Sequence, residues 1–249
     1  MRKIILLIII INFFSCKRNG EEIIYYDKNG NIESKNYVSD GKNLDSVIYF
    51  SNGKVDTKVF FPKKDKTECY VKYYGKKGLS SEGKTKGEKK NGKWKYYDLK
   101  GKLRKIVEFK VICNEEYPNQ EWNYDSNGKL NEIFCNYFTC KIGETIEING
   151  EKGKNLKIYY SPMFKKDAIC TINLSRKINK DFCNVDSIEK IDFKCDSTFT
   201  FNLPIKLKDF KEIFYLKGYI EEHHFDEDSN DKSSLKHTSR RVYIDVPIK

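Results

Sequence analysis

The sequence is short of the residues that build most active sites. Its 249 residues include three histidines, two methionines, two tryptophans and five prolines. No HExxH, GxSxG or CxxC spacing occurs, which removes the usual zinc-protease ligands, the hydrolase nucleophile elbow and the paired-thiolate site. A GxxxxGK match runs from Gly87 to Lys93. It is no phosphate loop, because Trp94 stands where Ser or Thr must hold magnesium and a strand pattern follows where a helix must begin. Few prolines and no low-complexity run exclude extended disorder. The longest apolar stretch, residues 4–14 interrupted only by Asn12, is shorter than the roughly 20 residues needed to cross a bilayer as a stable helix.

What is abundant is aromatic and basic. Aromatics make up 14% of the chain, chiefly 17 Tyr and 16 Phe, and with many Ile and Thr they favour strands. The stretch GEKKNGKWKYYDLKGKLRKIVEF, residues 87–109, sets the pattern. Asn91-Gly92 takes positive φ easily and is read as a hairpin turn. Period-two alternation then puts Trp94 and Tyr96 on one face and Lys93, Lys95 and Tyr97 on the other. An aromatic pair, a polar run, a Gly and an aliphatic recur as Tyr25-Tyr26 with Gly30, Tyr49-Phe50 with Gly53, Tyr73-Tyr74 with Gly78, Tyr96-Tyr97 with Gly101, and Trp122 and Tyr124 with Gly128. The glycines are 23, 25, 23 and 27 residues apart. That period predicts a stacked array of hairpins over 23–132, each covering its neighbour's apolar face. Tyr26, Tyr49, Tyr73, Tyr97 and Tyr124 are expected either to form a stripe along the array or to fill its core. Residues 113–120 read as an inserted loop.

The segment GxxxNGKWKYYDxxGKLxxxxxF resembles the MORN-variant repeat of bacterial proteins grouped with YwqK-like antitoxins. The resemblance spans roughly residues 25–130 and implies an elongated hairpin array that contacts a partner or membrane surface. It implies no catalytic residue.

From 133 onward the period is lost. Short strand patterns at 145–148, 156–160, 169–174, 188–193, 198–203, 214–221 and 241–247 predict an antiparallel β-sandwich over 133–249. The fold class expected is therefore all-β: a MORN-like hairpin array followed by a sandwich that covers the array's open edge.

Residues 1–15 have the order of a signal peptide: Arg2 and Lys3, the apolar run, then Phe13-Phe14-Ser15 before Cys16. The ending resembles the bacterial lipobox, which implies an acylated Cys16, a tether over 16–22 and, with Lys17 following, delivery to the outer membrane of the cell envelope. The other seven cysteines are an odd number, so one at least stays unpaired within the chain. Cys135 with Cys140 and Cys183 with Cys195 are the pairs that spacing suggests.

The formal charge of +11 is concentrated: between Lys84 and Lys110 stand 11 basic and 3 acidic residues. This patch is either solvated surface or a site for an acidic protein or anionic envelope component. The candidate contact residues are Lys93, Trp94, Lys95, Tyr97, Lys102, Arg104 and Lys105. His223, His224 and His237 flank acids at 221, 222, 226–228 and 231; a solvated hairpin tip is expected over a weak metal site, since adjacent strand histidines face opposite ways. No catalytic residue, metal or cofactor is expected, nor a nucleic-acid partner. The functional expectation is a lipid-anchored binding or scaffold module. An immunity or antitoxin role is the alternative, with a metal-dependent enzyme behind it.

Overall fold

The computed structural model describes residues 20–39, 43–62, 67–164, 168–175, 177–189, 191–206, 214–227 and 235–248. The signal segment, Cys16 and most of the tether lie outside the described residues.

Turn chemistry dictates the first half. Gly30, Gly53, Gly78, Gly101 and Gly128 all have positive φ, the conformation the repeat requires of them. Asp27, Asp98 and Asp125 each accept two main-chain N–H groups on one carboxylate oxygen, two and four residues ahead, closing identical turns. Asn52-Gly53 makes a two-residue turn with φ positive at both positions. The strands of this half are β1 (Gly20–Tyr26), β2 (Ile32–Ser39), β3 (Asn43–Ser51), β4 (Lys54–Phe60), β5 (Glu68–Gly75), β6 (Gly78–Lys86), β7 (Lys89–Tyr97), β8 (Leu103–Ile112) and β9 (Glu115–Asn123). They form one nine-stranded antiparallel sheet in sequence order.

Two local expectations are corrected. The β6–β7 hairpin turns at Gly87 and Glu88, not at Asn91-Gly92, which lies inside β7. There Gly92, at φ +74°, belongs to a bulge that gives β7 extra residues opposite Gly83. Most of residues 113–120 is strand β9, not loop, because Cys113 and Asn114 close a two-residue turn at φ +49° and +62°.

The second half comprises β10 (Tyr137–Ile148), β11 (Glu151–Ser161), β12 (Ile169–Leu174), β13 (Ile191–Lys194), β14 (Thr200–Lys206), β15 (Phe214–Glu227) and β16 (Leu235–Ile248). One sheet runs β10-β11-β14 and the other β13-β12-β15-β16. Leu156, Ile158, Phe201 and Leu203 of the first pack against Ile172, Ile220, Val242 and Ile244 of the second, all essentially buried. This is an antiparallel β-sandwich, and all-β describes the whole described chain.

The sandwich grips the last strand of the array. Asn119 of β9 is fully buried and bonded to Tyr243 of β16, while the Tyr117 hydroxyl donates to the Arg241 carbonyl at 2.6 Å. Tyr117 and Ile112 join Ile178, Phe182, Val185, Tyr219 and Tyr243 in a second apolar cluster. Glu121 and Asn136 form a bridge beside it.

Candidate recognition faces of the nine-stranded sheet

The pairing register sorts the repeat's side chains into rows that cross the sheet. One row runs Tyr25, Ser34, Tyr49, Thr57, Tyr73, Ser81, Tyr96 from β1 to β7 and ends at Lys105 and Asn123. A tyrosine thus stands on each odd strand from β1 to β7 with a small hydroxyl residue between each pair. At roughly 4.8 Å per strand the tyrosines are about 9.6 Å apart. Tyr25, Tyr49 and Tyr73 are 47%, 44% and 40% exposed, whereas Ser34 and Ser81 are buried at the foot of the gaps.

The row beside it, on the same face, is the core of the sheet. Val47, Val59 and Val71 pair in succession, and Trp94 pairs with Val107. Trp94 is fully buried, stacks on Tyr73 at 5.9 Å and donates its indole N–H to the Lys84 carbonyl at 2.7 Å. It lies on Gly83, where a Cβ would stand 2.5 Å from the ring. Trp94 is therefore removed from the expected contact surface: the bulge at Gly92 and the missing side chain at 83 draw it into the core. Lys90 covers this cluster, its ammonium 5.0 Å from the Phe109 ring and 5.2 Å from the Trp94 ring.

The opposite face is basic. Its central row runs Ile24, Lys35, Ile48, Lys58, Lys72, Glu82, Lys95, Ile106, Trp122. Lys93 is on this face too, 4.8 Å from the Trp122 ring. Glu82, buried beneath, accepts the Tyr97 hydroxyl at 2.6 Å and pairs with Lys72 at 3.3 Å. Burial opposes ionisation of Glu82, but hydrogen bonds from Tyr97, Tyr70 and Lys72 outweigh it and hold the carboxyl below its ordinary range. Burial first, and Glu82 second, push the Tyr70 phenol up to about 12.

The seven candidate residues are thus divided. Lys93, Lys95 and Tyr97 belong to the basic face; Lys105 ends the tyrosine row and is tied to Glu121 at 2.8 Å; Lys102 reaches the Ser126 carbonyl at 3.3 Å beyond the sheet. Arg104 is half-buried in β8. The expected tyrosine stripe is redrawn likewise. A β-bulge falls within each pair at Tyr25/Tyr26, Tyr49/Phe50, Tyr73/Tyr74 and Tyr96/Tyr97, and the first member enters the tyrosine row. The second turns to the basic face, as the Tyr97 bond to Glu82 and Lys58 over the Tyr74 ring show. Tyr26 and Tyr97 leave the expected stripe for that face.

The histidines divide as period two demands. His223 and His237 approach at 2.9 Å on one face of β15 and β16, and His224 stacks on Phe164 at 4.7 Å on the other. Glu222, expected at a solvated tip, is fully buried and accepts bonds from the Tyr160 hydroxyl at 2.7 Å and the Met163 and Phe164 N–H groups at 3.1 and 2.6 Å. Among the described residues no three His, Cys, Asp or Glu side chains are placed to hold a metal ion, and no helix is long and apolar enough to cross a membrane. Asp228 and Asp231 of that loop lie outside the described residues.

No family model matches the chain and no curated protein matches it. Among solved structures it is similar to TarM and to an S. aureus TarM mutant in complex with fondaparinux, alpha-GlcNAc-glycerol and UDP, each 14% identical with a TM-score of 0.25. The aligned part covers 51% of this chain and 20% or 21% of those chains, so the chain spans about a fifth of their length.

Proposed function

We propose that the chain is a non-catalytic binding module of the bacterial cell envelope, tethered through an acylated Cys16, and that its recognition surface is the tyrosine row of the nine-stranded sheet. The observation that supports this is the row itself: three exposed phenol rings and a fourth half-buried one, evenly spaced, separated by Ser34, Thr57 and Ser81, with no charged residue before Lys105. Flat aromatic rings alternating with hydroxyl-lined gaps suit the apolar faces and hydroxyl rims of sugar rings. The two-strand interval is close to the disaccharide repeat of an extended β-linked glycan lying across the strands. A second reading rests on the other face, where Lys35, Lys58, Lys72 and Lys95 share a row with one acid and would attract an acidic protein, such as a toxin bound by an immunity protein.

Co-sedimentation of the acyl-free protein with insoluble cell-wall glycan tests both. The glycan reading expects Tyr25→Ser with Tyr49→Ser and Tyr73→Ser to reduce binding at least tenfold, with little dependence on salt. The acidic-partner reading expects no glycan binding. It instead expects an envelope protein captured by the wild type and lost, in a salt-sensitive way, in the Lys58→Glu, Lys95→Glu variant. Glycan binding unchanged in the tyrosine variant, with no such protein, would reject the sheet as the contact surface.

A further inference from the structure

Cys113 and Cys183 are both exposed, and although 70 residues separate them in sequence, the Cys113 thiol is the leading cause that pushes the Cys183 thiol up to about 12. Cys113 is on the hairpin turn between β8 and β9 at the end of the array; Cys183 is on the loop between β12 and β13 of the sandwich. The contact is held from both sides. The Cys113 N–H donates to the Asp181 carbonyl at 3.0 Å, and the residues just before each cysteine, Ile112 and Phe182, pack in one apolar cluster. Lys110 also lies 5.9 Å from the Phe182 ring.

The backbone makes the placement specific. Two-residue turns with positive φ at both positions occur at Asn52-Gly53, at Asn149-Gly150 and at Cys113-Asn114. The first two use the Asn-Gly pair that such turns favour; in the third a thiol takes the asparagine's place at φ +49°. A side chain other than Asn, Asp or Gly is seldom found in that left-handed region. Phe182, next to the other thiol, is left-handed as well at φ +61°. Unfavourable backbone on both sides of one contact is what a functional pairing of the two side chains accounts for.

We propose that Cys113 and Cys183 are a disulfide site that covalently locks the hairpin array to the sandwich, formed by exchange with a disulfide oxidant of the exported compartment. One cysteine sulfur attacks the oxidant RS–SR, forming a mixed disulfide and releasing RSH. The second cysteine displaces the other RSH, closing the Cys113–Cys183 bond. Two electrons and two thiol protons pass to the oxidant, which leaves as two RSH. The expected pairing of Cys183 with Cys195 gives way to this one, and Cys195 instead meets Cys170, with its N–H bonded to the Cys170 carbonyl at 3.3 Å. Cys135, bonded through sulfur to the Asn131 carbonyl at 3.2 Å, is engaged away from Cys140.

The test uses the native acyl-free chain equilibrated in graded mixtures of reduced and oxidised glutathione, followed by non-reducing peptide mapping. The inference expects a linked Cys113–Cys183 peptide to appear first, with loss of two free thiols. It also expects a thermal midpoint roughly 10 °C higher in the oxidised than in the reduced protein. Cys113→Ser and Cys183→Ser variants, which fold without the bond, should each abolish that rise. Both thiols remaining free in fully oxidised glutathione, or Cys170–Cys195 linking in their place, would overturn it. This outcome is independent of any glycan or protein partner.

Discussion

The carboxamide of Asn119 pairs with both main-chain groups of Tyr243: its Oδ1 accepts the Tyr243 N–H at 2.6 Å and its Nδ2 donates to the Tyr243 carbonyl at 3.0 Å. One side chain thus does for β9 and β16 what a strand neighbour does, joining two sheets that no continuous ladder connects. The same Nδ2 donates to Glu108 at 2.8 Å. Asn119→Ala leaves both buried main-chain groups of Tyr243 without a partner, and each unsatisfied group costs about 1–3 kcal/mol. The variant should lose about 3 kcal/mol and unfold in two steps, the array before the sandwich. Asn119→Asp should be worse, because a carboxylate oxygen then faces the Tyr243 carbonyl. Denaturant unfolding followed by tyrosine and tryptophan signals separately checks this; a single unshifted transition for Asn119→Ala would sink it.

Trp94 lies so close over Gly83 that a Cβ there would stand 2.5 Å from the ring. Gly83→Ala should cost about 1–3 kcal/mol by overpacking, since the Cβ meets the indole ring itself. Trp94→Phe added to Gly83→Ala should cost less than the two single effects combined, because the smaller ring vacates the space. In a Trp122→Phe background the emission of Trp94 reports the change directly, and a red shift in Gly83→Ala is expected.

Glu222 should be replaceable by nothing apolar. Glu222→Leu leaves the Tyr160 hydroxyl and the Met163 and Phe164 N–H groups without their acceptor. A loss of about 3–5 kcal/mol is expected, because each buried donor left without an acceptor costs about 1–3 kcal/mol. Glu222→Gln keeps one acceptor oxygen and should lose clearly less. Equal midpoints for the two variants in thermal unfolding would show that the network contributes nothing.

The repeat was legible because turn chemistry is local: Asp27, Asp98, Asp125 and the five glycines act within a few residues, so spacing alone gave hairpins and their order. The sandwich strands were legible from alternation. The rows across the strands were not, because each bulge at an aromatic pair shifts the register by one, so alternation within a strand does not tell which residues of neighbouring strands stand side by side. The register at those pairs is a tertiary outcome. Trp94 and Glu222 fail for a related reason. Their partners, Gly83 and the segment 160–164, are set by pairing, not by neighbouring sequence. Parity with Ile220 along β15 is the signal that points Glu222 inward.

Acidification should weaken the array through Glu82, the one acid of the lysine row. In the unfolded chain its carboxyl titrates near the ordinary value of about 4.3; in the folded sheet the Tyr97, Tyr70 and Lys72 donors hold it lower against the opposing effect of burial. Between the two values the unfolded chain binds more protons, so protonation favours unfolding. The stabilisation is complete above the unfolded value and disappears as pH falls through the folded one. Glu82→Gln lacks that titration. It should be less stable than wild type at neutral pH, and its thermal midpoint should fall less steeply between about pH 5 and 3. The two curves should therefore converge in acid. Parallel curves would mean that Glu82 is protonated alike in both states, and that the donors around it leave its ionisation unchanged on folding.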